Sequence, residues 1–336
     1  MQDYGSYILW GIAGLFTLGL LWRRSRRRRH MRPSTFGGAE FEGALRAAGQ
    51  SQLQPLHDLI AGTTNADMKV AFLQGLSQEP VKNVQKWAAT HAREPAALLM
   101  LGEAMIVEAR RRRGNAPSAK LSEAAYMGMY EALTEAITAF KGAAELAPKD
   151  ATPWIRMCDL AAGLELPREE AEGFFKEARA RDPESFRAHV AMTHYLTERW
   201  HGSHEEMFKF VASVREEAPE HSELHMLVAY AAWEQHHFLI SSRAAPKKAD
   251  AAVSPEVLEQ LVRTAYEQSL GSPSYVERPQ SVVARNYAAF WFFVARMQPE
   301  LRKELQALDF NYSMTPWGLL NDPMTTFALA RRQAGL

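Results

Sequence analysis

A single cysteine, Cys158, stands in 336 residues, so a disulfide framework within the chain is excluded and a reducing compartment fits. The phosphate-binding fingerprints are missing as well. There is no P-loop, no G-x-G-x-x-G and no G-x-S-x-G nucleophile turn. No run of β-branched residues alternates between turns, which is the pattern a half-buried strand requires. Net charge is absent too, with 39 basic residues against 39 acidic ones. That balance hides an asymmetry. Seven arginines crowd between Arg23 and Arg32, only Asp3 precedes them among the acids, and the rest carries 32 basic against 38 acidic residues. A mildly acidic body has no basic stripe for a nucleic acid, and none is expected as a partner. At 47% hydrophobic and 23% charged the composition is globular, with room for one large domain or two ordinary ones.

What is present begins with the segment Tyr4–Trp22, YGSYILWGIAGLFTLGLLW, nineteen residues without a charge. As a helix it would measure roughly 28 Å at about 1.5 Å per residue, close to the ~30 Å of a bilayer's hydrocarbon core. Tyr4, Tyr7, Trp10 and Trp22 lie towards its ends, where aromatic rings favour the interface. A cleaved signal peptide would place positive charge before the apolar stretch, whereas here Asp3 precedes it and RRSRRRRHMR follows. A retained single span is expected. The basic run keeps its flank on the cytoplasmic side, which puts the N-terminus outside and residues 23–336 inside. Arg23, Arg24, Arg26, Arg27, Arg28, Arg29 and Arg32 then sit at headgroup level, where each attracts anionic lipid by about 1 kcal/mol.

The remainder has helical periodicity. Thr152-Pro153, Ser203 with Glu206, and Ser254-Pro255 read as helix starts. Ala136, Phe140, Ala143 and Pro148 share a spacing with Ala171, Phe175, Ala178 and Pro183, and with Met207, Val211, Val214 and Pro219. The successive copies are 35 and 36 residues apart, and Trp87, Thr90 and Pro95 match the last three places upstream. Small residues let paired helices approach, an aromatic fills the next gap, and proline stops the second helix. The spacing resembles the tetratricopeptide repeat, although the first-helix signature is only partly met, by Trp154. Residues 80–240, through ARRRRGNA, AAELAPKDATPWIRM, FFKEARARDPES and ERWHGSHEEMFKFV, also resemble a bacterial family of repeat-like proteins known only as a domain of unknown function. The resemblance implies the fold and a bacterial source, and no activity.

The fold class expected is therefore all-α, a right-handed solenoid of helix pairs behind one N-terminal transmembrane helix. Residues 1–3 form a short outer end, 4–22 the span, and 23–39 a basic linker. Residues 40–272 form the repeat body, with insertions near 114–131 and 241–254, and 273–336 a helical closing segment. YAAFWFFVARM (287–297) is too aromatic to be exposed and reads as a closing helix.

Candidates for chemistry are few. His221 and His225, four apart on an expected helix, have a spacing that can hold zinc, but His236 lies roughly 16 Å further along and cannot complete a site. Packing or solvated histidines are the reading, with no metal and no cofactor expected. Cys158 sits in an apolar stretch and reads as packing. Glu169-Glu170 and Glu205-Glu206 suit the opening turns of helices, and Arg110–Arg113 suits a helix end, with contact to anionic lipid or an acidic partner as its second role. No residue reads as catalytic. In tetratricopeptide repeats the first helix of each pair lines the concave face. Here that set includes Arg156, Leu160, Arg187, Val190, His194, Thr197, Met226, Tyr230, Trp233 and Glu234. Arg156, Arg187, His194, Tyr230, Trp233 and Glu234 are the candidate partner-binding residues, since arginine, tyrosine and tryptophan dominate binding hot spots. The other reading is that Tyr230 and Trp233 pack against the 241–254 insertion.

A non-enzymatic scaffold at the inner face of a bacterial cytoplasmic membrane, holding a protein or peptide, is the function this organisation favours. A regulatory or catalytic helical domain with its site under an insertion, or a structural subunit of a membrane assembly, are the alternatives. The orientation is testable. A reporter fused after Leu336 is expected to be active only in the cytoplasm, and replacing the arginines of 23–32 by glutamine to weaken that orientation. Periplasmic activity of the unmodified fusion would end the inward-facing reading.

Overall fold

The structure is a computed structural model that describes residues 32–33, 39–78, 80–114, 121–241, 253–278, 280–320 and 322–336. The expected span 4–22 and the arginines 23–29 lie outside the described residues. Among the described residues no helix is long and apolar enough to cross a membrane.

The architecture is all-α. Three short helices open it: α1 (Ala39–Ala48), α2 (Gln54–Gly62) and α3 (Ala66–Gln74). Then come α4 (Val81–Thr90), α5 (Pro95–Arg113), α6 (Glu123–Leu146), α7 (Thr152–Ala161), α8 (Arg168–Arg181), α9 (Phe186–Tyr195) and α10 (His204–Glu217). A 3-10 turn, Glu223–Met226, leads into α11 (Leu227–Ser241), followed by α12 (Pro255–Glu267), α13 (Ser281–Val294), α14 (Gln298–Leu308) and α15 (Pro323–Gln333). Two residue pairs form a small parallel ladder that the sequence pattern does not reveal. In it β1 (Arg32–Pro33) lies beside β2 (Asn311–Tyr312), with Arg32 opposite Asn311.

Local chemistry sets the helix starts. The side chains of Asn65, Ser185, Ser203 and Ser254 each accept a bond from a backbone N–H three residues on, at the openings of α3, α9, α10 and α12. The start of α7 differs from expectation. Thr152 is inside the helix and does not cap it; Asp150 accepts from the Thr152 N–H at 2.9 Å and from its hydroxyl at 2.6 Å. The expected insertion at 114–131 is also redrawn. Ser122 caps α6, so residues 123–131 are its first turns, continuous with the helix that pairs with α5. Residues 115–120 and 242–252 lie outside the described residues. Where the second insertion returns, the Gln235 side chain exchanges two hydrogen bonds with the Val253 backbone, which ties the chain back to α11.

Neighbouring helices in the chain pack together: α5 with α6, α7 with α8, α9 with α10, and α13 with α14. In all three complete copies of the spaced motif the first three places point inward, while the closing prolines are exposed. Ala136, Phe140, Ala143, Ala171, Phe175, Ala178, Met207, Val211 and Val214 are buried. The partial upstream copy behaves otherwise, because Thr90 is exposed and Trp87 is half-buried, its ring stacked on His91. Other contacts cross the order of the chain. Helix α3 packs against α7, and α13 against α11. Aromatic residues of α13 continue into the C-terminal segment, with Phe290 edge-on to Trp233 at 4.6 Å and to Trp317 at 5.4 Å, and Trp317 edge-on to Phe327 at 5.1 Å.

The α5–α6 pair offers a sharp test of packing. A Cβ built at Gly102 would lie 2.5 Å from the Phe140 ring, so the two helices meet at hydrogen-atom separation there. Alanine gains up to about 1 kcal/mol of helix propensity over glycine. Overpacking a rigid ring nevertheless costs roughly 1–3 kcal/mol and is expected to win. Gly102→Ala should lower the melting temperature, and adding Phe140→Leu should recover part of the loss. An unchanged or raised melting temperature for Gly102→Ala would mean the helices do not approach this closely.

Candidate functional site

The predicted concave residues come from α7, α9, α11 and the 3-10 turn before it. Of these, Arg156, Tyr230 and Glu234 are buried, and Arg187 and His194 are half-buried. The structure gathers them into two polar clusters.

In the first, Arg156 is 3% exposed and donates to Glu103 of α5 at 2.7 Å and to Asp159 one turn along α7. Burial opposes its charge, but the two carboxylates outweigh that and raise its pKa. Arg187, half-buried on α9, senses Asp67, Asp159 and the Tyr287 ring oxygen electrostatically, and burial pulls its pKa down. Asp67, buried at the start of α3, accepts from the Ser185 hydroxyl and, at 3.4 Å, from the Arg187 backbone N–H. Burial pushes its carboxyl up to about 6 against the pull of Arg187.

In the second cluster Glu234 is the hub. Its carboxylate accepts from the Tyr230 hydroxyl at 2.9 Å and from Arg199, and the His194 Nδ1 lies 3.5 Å away. His194 Nδ1 also meets the Tyr230 hydroxyl at 2.9 Å. Burial works to raise the Glu234 pKa, yet His194, Arg199 and Tyr230 together hold it at about 2. The Tyr230 hydroxyl moves well up, through burial and the neighbouring carboxylate.

Five of the six candidates fall in these two clusters and Trp233 in neither, and four of the six are enclosed by the chain itself. Trp233 is 1% exposed, and Arg156, Tyr230 and Glu234 are buried. What covers the aromatic pair is α13, through the Tyr230–Tyr287 edge contact at 5.2 Å and the Trp233–Phe290 contact. Among the described residues Tyr230 and Trp233 do not line an open groove, and residues 242–252 of the insertion lie outside those residues. An apolar hollow between stacked helices is filled by the most aromatic segment at hand. What stays accessible is one stripe of α9 and its flanks, where Glu184, Arg187, Val190, His194 and Glu198 are half-buried at helical spacing.

The expected histidine pair is corrected. His221 has φ 64° in the turn before the helix, and His225 lies in the 3-10 turn, its Nε2 3.1 Å from the Pro219 carbonyl oxygen. The two are therefore not one turn apart on an α-helix. Among the described residues no group of three or more His, Cys, Asp or Glu side chains is placed to hold a metal. Cys158 is buried on α7, and burial raises its thiol well above the ordinary range.

Sequence reasoning missed Glu103, Asp67, Glu223 and Glu304, all buried. Glu223 accepts from Ser281 and from Tyr275, and Arg278 reaches it at 3.4 Å. Glu304 accepts from Tyr266 at 2.8 Å and from Arg285, which bonds both its oxygens. The available signal was a lone acid in an apolar helical run, as in LLMLGEAMI around Glu103. No known protein family matches the chain, and no curated protein matches it.

The Glu234 hub has a pH signature. Its folded pKa is near 2 against an ordinary 4.5, so its stabilisation is complete above about pH 5 and is lost as pH falls through the folded value. The displacement corresponds to about 3 kcal/mol. Glu234→Gln is expected to be less stable than the parent at pH 7, with the gap closing towards pH 2 in thermal melts across that range. Parallel curves for parent and variant would show that this carboxylate is not clamped.

Proposed function

We propose that this chain is a membrane-tethered, tetratricopeptide-like helical-repeat scaffold that holds a protein partner at the inner face of a membrane without catalysing a reaction. On this reading residues 4–22 span the bilayer, and Arg23, Arg24, Arg26, Arg27, Arg28, Arg29 and Arg32 lie against anionic headgroups. The helix pairs stack as a solenoid, in keeping with the three inward-facing copies of the spaced motif. The buried polar clusters form the frame, and the partner surface is the free end of the α5–α6 hairpin.

One observation carries the last point. The first nine residues of α6 are exposed or half-buried, with Met129 packed against the core and full burial starting at Ala132, so this end of the hairpin is largely open to solvent. It presents Met127 and Tyr130, 48% and 38% exposed, with Tyr126 stacked on Tyr130. Arg110 and Arg111 are exposed beside them; Glu108 holds Arg111, and Arg112 bridges Glu108 and Glu131. Tyrosine, methionine and arginine are the side chains enriched at protein interfaces, and a ring of guanidinium groups favours an acidic partner surface.

A catalytic reading rests on the His194–Tyr230–Glu234 chain. A phenol moved upward and a carboxylate held near 2 leave neither of those two groups poised to exchange a proton near neutral pH.

The test uses the full chain recovered from its native membranes. Tyr126→Glu combined with Tyr130→Glu is expected to reduce recovery of the co-purifying partner by tenfold or more, because a hot spot is worth about 2 kcal/mol or more. The melting temperature should stay unchanged, since both side chains lie outside the core. Val190→Lys, on the accessible stripe of α9, is expected to leave recovery intact. Loss of the partner in the Val190 variant alone would move the interface to the accessible stripe of α9.

A further inference from the structure

The strand pair gives the body a direction. β1 and β2 run parallel with Arg32 opposite Asn311, so the N-terminal end of β1 and the N-terminal end of β2 lie on the same side. The residue before β2 is Phe310, and the chain leading into β1 comes from the basic run. Arg32 stands ten Cα steps along the chain from Trp22. Fully extended they reach no more than about 35 Å.

Near that end of β2 stand an exposed aromatic and several arginines, beside the exposed Asp309. Phe310 is 36% exposed, and the Arg331 guanidinium lies 4.4 Å from its ring centroid. Arg331 donates to the backbone carbonyls of Leu305 and Asp309, and Arg302 to that of Ala334 at 3.0 Å. Carbonyl oxygens orient these guanidinium groups without neutralising them. The acid that Arg331 senses is Asp309. Arg302 and Arg332 are exposed, and Tyr312, packed on Phe327 at 5.5 Å, anchors the strand to α15.

We infer that the face carrying Phe310, Arg302, Arg331 and Arg332 is the membrane-facing surface of the body, docked on anionic lipid headgroups. This rests on the reading of residues 4–22 as a span. The occupant follows from the tether: the parallel ladder brings the chain in from the side where Phe310 stands, and a short basic linker holds that side close to the bilayer. Cationic side chains there gain about 1 kcal/mol each from an anionic leaflet, and an aromatic ring suits the interfacial region.

The experiment reconstitutes the full chain into phospholipid vesicles with about a third anionic lipid. A dye is placed on Gln333→Cys, at the exposed end of α15, or on Glu172→Cys, exposed on α8, and lipid-borne quenchers report proximity. Cys158, buried, does not compete for the label. The expected result is flotation with the vesicles and at least threefold stronger quenching at position 333 than at 172. Arg302→Glu with Arg332→Glu should reduce that difference while flotation persists. Flotation with equal quenching, or with stronger quenching at 172, overturns the inference and leaves the anchor standing. Failure to float overturns the anchor itself, and the inference with it.

Discussion

A carboxylate taken out of water costs several kcal/mol unless donors fill its lone pairs; besides Glu108, which Arg111 and Arg112 of its own helix satisfy, the described residues bury five: Asp67, Glu103, Glu223, Glu234 and Glu304. In each case donors come from another helix or from a segment distant in the chain. Ser185 reaches Asp67 across 118 residues, Arg156 reaches Glu103 across 53, and Ser281 reaches Glu223 across 58. Apolar faces alone would let short helices slide or rotate against each other at little cost. A buried acid does not, because a displaced donor leaves an uncompensated charge. The arrangement of the helices follows from where these acids stand.

The clearest consequence is the seating of α13. Glu223 holds its first residue, Ser281, together with Tyr275 and Arg278 just before it. One turn further on, Arg285 is fixed between Glu277 and Glu304. With both sides of its first turns pinned, the aromatic side chains that follow can enter only one space, between α11 and the C-terminal segment. Asn286 completes the fit. Its oxygen accepts from the Trp317 indole N–H at 2.6 Å and from the Ser313 N–H, and its amide donates to the Val282 carbonyl. The polar contacts thus determine position, and Tyr287 and Phe290 supply the burial.

This explains what the sequence made legible. The inward residues of α6, α8 and α10 were readable because helix-to-helix packing repeats at a fixed spacing, and a repeat shows itself within one chain. The apolar character of 287–297 also announced burial. What could not be read was the place where that burial occurs, since an aromatic run carries no address. The address is carried by Glu223 and Glu304, two acids whose partners lie dozens of residues away. The same reasoning accounts for the candidate set. Arg156, Arg187, His194, Tyr230, Trp233 and Glu234 were grouped by helical register, and five of them fall in two polar clusters. Register says which face a residue lies on, and it cannot say whether a later helix will cover that face. Chain direction in a two-residue ladder such as Arg32 with Asn311 leaves no compositional trace at all.

An interior committed to holding helices together leaves recognition to the outside, and there the proposed tether changes how strong an interface must be. The exposed apolar patch on the hairpin end is only a few side chains, Tyr126, Met127 and Tyr130, with arginines around it. Alone, so small a surface supports a weak complex, since association must first overcome the loss of translational and rotational freedom. A body of about 300 residues has a radius of gyration near 20 Å, and under the proposed tether a linker of at most about 35 Å would confine it to a thin layer beside a bilayer. A partner held in the same layer meets the hairpin at an effective concentration that approaches the millimolar range. Under that constraint a dissociation constant of hundreds of micromolar is enough for occupancy, and a stronger patch would only slow release. A rigid, acid-riveted frame adds to this, because the hairpin presents its side chains without an ordering cost at the moment of contact.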